Sequence, residues 1–150
     1  METLVLTIDE SVLERYCEYY FCIHPKAKKK PIQHPYHESI NVWMIMKRPM
    51  MNSLKQKWKD FIKWFIRDQG YSNLRIKKCE IRQRVFYPNN RKHDVDNSVP
   101  KFIIDGFVEG GMVVGDDSSH VIRLILECGT DVIHPRTELE FTIYEMDNKE

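Results

Sequence analysis

Asn52–Tyr87, NSLKQKWKDFIKWFIRDQGYSNLRIKKCEIRQRVFY, holds two kinds of hydrophobic order in one stretch. Leu54, Trp58, Phe61, Ile62 and Phe65 recur at helical spacing, while Lys55, Lys57, Lys59, Lys63 and Arg67 occupy the other faces. This predicts an amphipathic helix whose stripe is core, with Asn52 or Ser53 as its N-cap and Gly70 at its end. Leu74–Tyr87 reads as a strand whose apolar phase slips between Ile76 and Cys79, so a bulge or two tightly joined strands are expected there. A helix followed by a strand of this kind places the chain in the α/β (α+β) class.

Working outward, Leu4, Leu6 and Ile8 alternate with polar neighbours and predict an opening strand over Thr3–Ile8. Asp9 or Ser11 is placed to cap a helix carrying Val12, Leu13, Tyr16, Cys17 and Tyr20, although Tyr19-Tyr20-Phe21 also suits a second strand. Residues 24–37 combine three prolines with Lys28-Lys29-Lys30 and almost nothing apolar, which predicts a mobile basic loop. Ile40–Met46 reads as extended, closed by Pro49. A second helix is expected from near Ser98, burying Phe102, Ile103 and Phe107 and ending at Gly110-Gly111. Strands are expected over Val121–Glu127 and Glu138–Tyr144.

A length of 150 residues suits one domain over the whole chain, and 42% apolar with 30% charged residues excludes collagen-like or broadly disordered classes. No apolar run approaches the roughly 20 residues that cross a bilayer. Glu2, Asp9 and Glu10 stand where a secretory signal would need a basic start, so the cytoplasm is the expected location. Cys17, Cys22, Cys79 and Cys128 have no CxxC spacing and are read as buried thiols. No small-molecule cofactor and no membrane partner are expected. The charge is segregated: residues 24–101 hold 19 Lys/Arg against 6 Asp/Glu, and the remainder holds 4 against 16. A basic stretch of that kind can present a local positive field to a polyanion, nucleic acid first among them.

Inside the basic stretch lie Asp94 and Asp96. Two residues apart on extended backbone, their side chains would project to one side, where a divalent cation would remove the repulsion between them. Asp116-Asp117 follows after a helix and the turns at Gly110-Gly111 and Gly115, a spacing that lets the chain return. Lys101 stands one turn from Asp105, placed to meet a phosphate or a leaving oxygen. Each part has a plainer use: Asp116-Asp117 as a turn, Asp96-Asn97 as a helix cap, Lys101 and Asp105 as an exposed ion pair. His93 and His120 flank the acids and are assigned no role.

The order Arg91-Lys92-His93-Asp94-Val95-Asp96-Asn97, Lys101, Asp105, Gly111, Asp116-Asp117 resembles the RusA family of Holliday junction resolvases. The resemblance covers roughly residues 74–146, with one extra residue before Lys101 and one between Gly111 and Asp116. It implies a mixed β-sheet flanked by two main helices. It also implies a Mg²⁺-dependent endodeoxyribonuclease, with Mn²⁺ as the substitute ion, that acts as a homodimer and resolves four-way DNA junctions by paired nicks in recombination and repair. On that resemblance Asp94, Asp96 and Asp117 hold the metal with Asp116 accessory, and Lys101 stabilises the transition state; which member of Asp116-Asp117 takes the catalytic place stays open, the order favouring Asp117. Arg91, Lys92, Asn97 and Lys28, Lys29 and Lys30 are expected on the DNA, and a phage or prophage is the natural host. Two other readings stand beside it: a non-catalytic nucleic-acid-binding module, and a metal-dependent nuclease of broader branched or flap specificity.

Overall fold

The computed structural model describes residues 2–147. Strand β1 (Glu2–Asp9) runs directly into helix α1 (Glu10–Ile23). Asp9 turns the chain there, its carboxylate accepting from Val12 N at 3.1 Å and Ser11 Oγ at 2.8 Å. Burial of the carboxyl opposes ionisation, but hydrogen bonds from His134, Val12 and Ser11 together pull it below its usual range. Tyr19, Tyr20 and Phe21 belong to this helix and form no second strand.

Helices α2 (Ile40–Trp43) and α3 (Arg48–Gln69) lead to strand β2 (Ile76–Tyr87), a 3₁₀ turn at Val95–Ser98, helix α4 (Lys101–Glu109), and strands β3 (Val121–Thr130) and β4 (Arg136–Met146). The sheet order is β1-β4-β2-β3, antiparallel across β1/β4 and β4/β2 and parallel across β2/β3. A parallel pair needs a crossover, and α4 is the helix that it carries. The result is a single α+β unit with a mixed four-stranded sheet. The phase slip in β2 is a register irregularity, with shifts at Lys78/Cys79 against β4 and at Cys79/Glu80 against β3.

One face of the sheet is covered by helices. Trp58, Phe61, Ile62, Phe65 and Ile66 of α3 are fully buried, and α4 comes close beneath them because position 106 is glycine. A Cβ there would lie 2.6 Å from Ile62 Cβ, so any larger residue drives the helices apart. Phe107 then meets Phe141 of β4 edge-on at 5.1 Å, and Tyr16 of α1 closes on Phe61 at 4.9 Å. The opposite face is a lattice of ion pairs, including Arg84 with Glu127 at 3.1 Å and Glu140 at 3.5 Å, and Arg123 with Glu80 at 2.9 Å. No helix among the described residues is long and apolar enough to cross a membrane.

Several local expectations are corrected. Ile40–Met46 is not extended: Ser39 Oγ accepts from Asn41 N at 3.2 Å and starts the short α2, while Met44 and Ile45 point to solvent. Helix α3 begins at Arg48, ahead of Asn52, because Pro49 sits in its first turn, where the missing N–H has no partner to lose. Gly70 ends it as expected, in the left-handed region at φ 84°. The 24–37 segment is coil, but only its first part is free of the body. Lys28, Lys29 and Lys30 are exposed, whereas Pro31, Ile32, Pro35 and His37 are buried, and Pro35 O accepts from Thr137 Oγ1 at 2.6 Å. All four cysteines are free, yet only Cys79 is fully buried, its thiol pushed up to about 11 by burial; Cys22 is exposed.

Candidate functional site

Helix α4 supplies the first side chains. Its start lacks a side-chain cap of its own, and the cap comes from 65 residues away: His37 Nε2 accepts from Phe102 N at 3.1 Å. The His37 Nδ1 proton then goes to Glu38 O at 2.8 Å, which fixes a neutral ring. Burial between Trp58 and Phe102 holds the His37 pKa down at about 4. Glu38 in turn accepts from Trp58 Nε1 at 2.6 Å, and its burial pushes the carboxyl above the usual carboxylate range. The end of the basic loop thus positions the helix that bears Lys101.

Lys101, Asp105 and Glu109 share the exposed side of α4 at helical spacing. Lys101 Nζ lies 3.5 Å from Asp105 Oδ1, and Glu109 is clamped by Lys59 at 2.5 Å and Lys63 at 3.2 Å from α3. These two helices and the chain return after α4 enclose an open cleft of about 430 Å³, lined by Lys55, Lys59, Lys101, Asp105, Val108, Glu109 and Asp116.

The return is built by residues 110–115. Gly111 adopts φ 82°, and a Cβ there would lie 2.5 Å from Ser72 O, so the turn needs glycine on both counts. Met112 O accepts from Ile76 N at 2.8 Å and Val114 N donates to Ile76 O at 2.9 Å, laying the segment along the start of β2. Asp116 emerges in the cleft, exposed and without an ion pair to a described residue. Asp117 does something else. Its carboxylate accepts from Ser119 N at 2.8 Å and from the Ser119 hydroxyl, its carbonyl accepts from His120 N and Val121 N, and the Ser119 bonds hold the carboxyl below its usual range. His120 Nδ1 donates to Lys77 O at 2.6 Å.

Asp94 and Asp96 lie on the segment between β2 and α4, outside the lining of this cleft. Asp94 has extended backbone, at φ −73° and ψ 126°, but Asp96 lies within the Val95–Ser98 turn. The strand-like alternation that would aim both carboxylates one way is therefore broken, because Asn97 N bonds back to Asp94 O at 3.0 Å and winds the chain. Both residues are exposed. Among the tethers of this segment, His93 stacks on Tyr87 with ring centroids 3.7 Å apart, and buried Gln83 of β2 donates Nε2 to Ser98 O at 2.7 Å. Asn97, beside Ser98, is half-buried.

The structure thus brings Lys101, Asp105 and Asp116 to one cleft, leaves Asp94 and Asp96 outside its lining, and uses Asp117 in a turn. Among the described residues no three His, Cys, Asp or Glu side chains stand together in a metal-holding group. Arg91 and Lys92 are exposed beside the acids, whereas Lys29 and Lys30 line a different cleft with Glu38 and Lys57. Four residues were given no site role in the sequence: His37 and Gln83 as positioning residues, and Lys55 and Lys59 as cleft lining. The lysines were legible as the polar side of the α3 stripe; nothing in local spacing marks His37 or Gln83. No family model matches the chain, and no curated protein matches it.

Proposed function

We propose that the chain is a divalent-metal-dependent endodeoxyribonuclease acting on branched DNA, four-way junctions first, as the resemblance to RusA resolvases implies. The observation that carries the reading is the return of Asp116 to the cleft that already holds Lys101 and Asp105. A carboxylate with no ion-pair partner among the described residues, in the cleft that holds an ammonium group, suits phosphate chemistry better than it suits a plain turn.

On the resemblance Asp94 and Asp96 would hold Mg²⁺ or Mn²⁺ with Asp116, carboxylate oxygens being the donors such ions prefer; the three do not stand together in the unliganded fold, so the exposed 94–96 segment would have to close toward Asp116, which the Asp117 turn presents. Such an ion polarises the scissile phosphate and lowers the pKa of bound water. Lys101 offsets charge that develops on the phosphate oxygens, and Asp105, 3.5 Å away, aims its ammonium. Lys55, Lys59, Arg91 and Lys92 bind backbone phosphates without reading sequence, with Lys28, Lys29 and Lys30 as a more distant contact. A four-way junction has approximate two-fold symmetry, so opposed nicks call for a homodimer. The work belongs in the cytoplasm, with the DNA.

The test is cleavage of a labelled four-way junction by the purified protein in Mg²⁺ and in EDTA, with Asp96→Asn as control. Paired, metal-dependent nicks lost in Asp96→Asn are expected; cleavage retained by that variant sinks the reading. A linear-duplex competitor separates junction resolution from a broader nuclease. The use of Asp117 in the turn favours one second reading, a non-catalytic nucleic-acid-binding module. A melting temperature unmoved by millimolar Mg²⁺ or Mn²⁺ would choose it, since an ion held by the fold must raise stability by mass action.

A further inference from the structure

The connection from β3 to β4 holds the most exposed apolar side chains at the end of the sheet: Val132 is 68% and Ile133 95% exposed. They are not on a loose loop. Asp131 Oδ1 accepts from Ile133 N at 3.2 Å and His134 N at 3.0 Å, and its Oδ2 pairs with Arg136 Nη1 at 2.9 Å. Arg136 also donates to His134 O at 2.9 Å and lies 4.0 Å over the Phe86 ring, while His134 Nε2 reaches Asp9 Oδ2 at 3.0 Å. The loop backbone is braced on β1, β2 and β4, and the bracing aims two apolar side chains at water.

The same loop is tied to the acidic segment. Asp131 N donates to Tyr87 O at 2.9 Å and Thr130 Oγ1 donates to Asn89 O at 3.2 Å, so the stretch from Tyr87 toward Asp96 and the loop leave the sheet side by side. Arg91 and Lys92, exposed and in no ion pair among the described residues, stand on that neighbouring segment.

We propose that Val132 and Ile133 form a wedge that enters an opened base step of branched DNA next to the acidic 94–96 segment, while Arg91 and Lys92 hold the flanking phosphates. The inference rests on the branched-DNA reading and names what would recognise the branch. Charge and size choose the occupant. A stable protein partner needs about 800 Å² from each side, far more than two side chains on a narrow tip present. A base step admits one or two apolar side chains, which unstack it and kink the helix. Steps at a branch point are already less well stacked, so a rigid wedge favours the junction over continuous duplex.

The experiment places 2-aminopurine at the branch point of a four-way junction and follows its fluorescence on binding in EDTA, with anisotropy for affinity. The native protein should bind the junction and brighten the probe. Val132→Ser/Ile133→Ser, whose sites are exposed and whose melting temperature should be unchanged, should lose the brightening and about tenfold of its preference for junction over duplex, the order set by loss of an intercalating contact. Ile133→Phe should keep both. Unchanged brightening and preference in the double serine variant overturn the wedge, as does a native protein that binds the junction without brightening. A native protein with no affinity for the junction removes the branched-DNA reading itself, a distinguishable result. Loss of self-association in the double serine variant, with junction preference intact, would instead assign the tip to a second copy and overturn the proposal.

Discussion

The helix-covered face of the sheet and its open end are held together in different ways. Under the helices, Trp58, Phe61, Phe65, Phe107 and Phe141 are fully buried and α3 meets α4 at a glycine, so the cleft with Lys101, Asp105 and Asp116 stands on close-packed ground. At the open end, Tyr87–Asp96 and the β3–β4 connection are held by ring contacts, hydrogen bonds and ion pairs such as Asp131–Arg136 instead of a packed core, with exposed carboxylates and cations. Dense packing places one half of the candidate site in advance; the other half keeps its charged groups available for a ligand.

The comparison predicts that activity and stability separate. Asp94→Asn, at the open end, should lower junction cleavage by at least about a thousandfold, because an ion contributes several kcal/mol of transition-state stabilisation. It should leave the melting temperature in EDTA unmoved; a comparable loss of stability would show that the acidic segment is structural. Under the helices the pattern reverses. Trp58→Ala should cost about 3–5 kcal/mol in denaturant unfolding, and a loss under 1 kcal/mol would break the contrast. Gly106→Ala should cost about 1–3 kcal/mol by overpacking against Ile62, with cleavage falling only as far as the cleft is displaced.

The smallest effect lies where the two regions meet. His37 has a folded pKa of about 4 against an ordinary 6.5, because burial disfavours the charged ring. Its folded-state pKa is depressed, so unfolding takes up a proton between these values. Its contribution to stability is therefore complete above pH 6.5 and declines as the pH falls toward 4. His37→Gln retains an acceptor for Phe102 N without the titration, so its melting temperature should fall less steeply across that window than the native protein's. Equal slopes would show that His37 does not couple the loop to α4.

The elements that were legible beforehand are those written in local bonds. The Asp9 cap, the Trp58-to-Phe65 stripe, the Gly70 stop and the phase slip near Cys79 each depend on residues within a turn or two of one another. The misreadings share a cause as well. Ile40–Met46 has strand-like residue types, but Ser39 offers a cap and no strand lies beside it to pair with. His37 looked like a loop residue because the rings that bury it, Trp58 of α3 and Phe102 of α4, are distant in the chain. Asp94 and Asp96 have a strand's spacing, and one backbone hydrogen bond turned it into a 3₁₀ turn.

Sequence alone therefore determined the kinds of the main strands and of helices α3 and α4, the single-domain scale, the segregation of charge and the short inventory of acids and cations, because composition and short-range periodicity are properties of the chain itself. Only the tertiary structure decided the β1-β4-β2-β3 order, the entry of Asp116 into the cleft, the use of Asp117 in the turn and the capping of α4 by His37. Those outcomes depend on contacts between residues far apart in the chain. Their energies arise from burial and hydrogen bonding that exist only once the whole fold has closed.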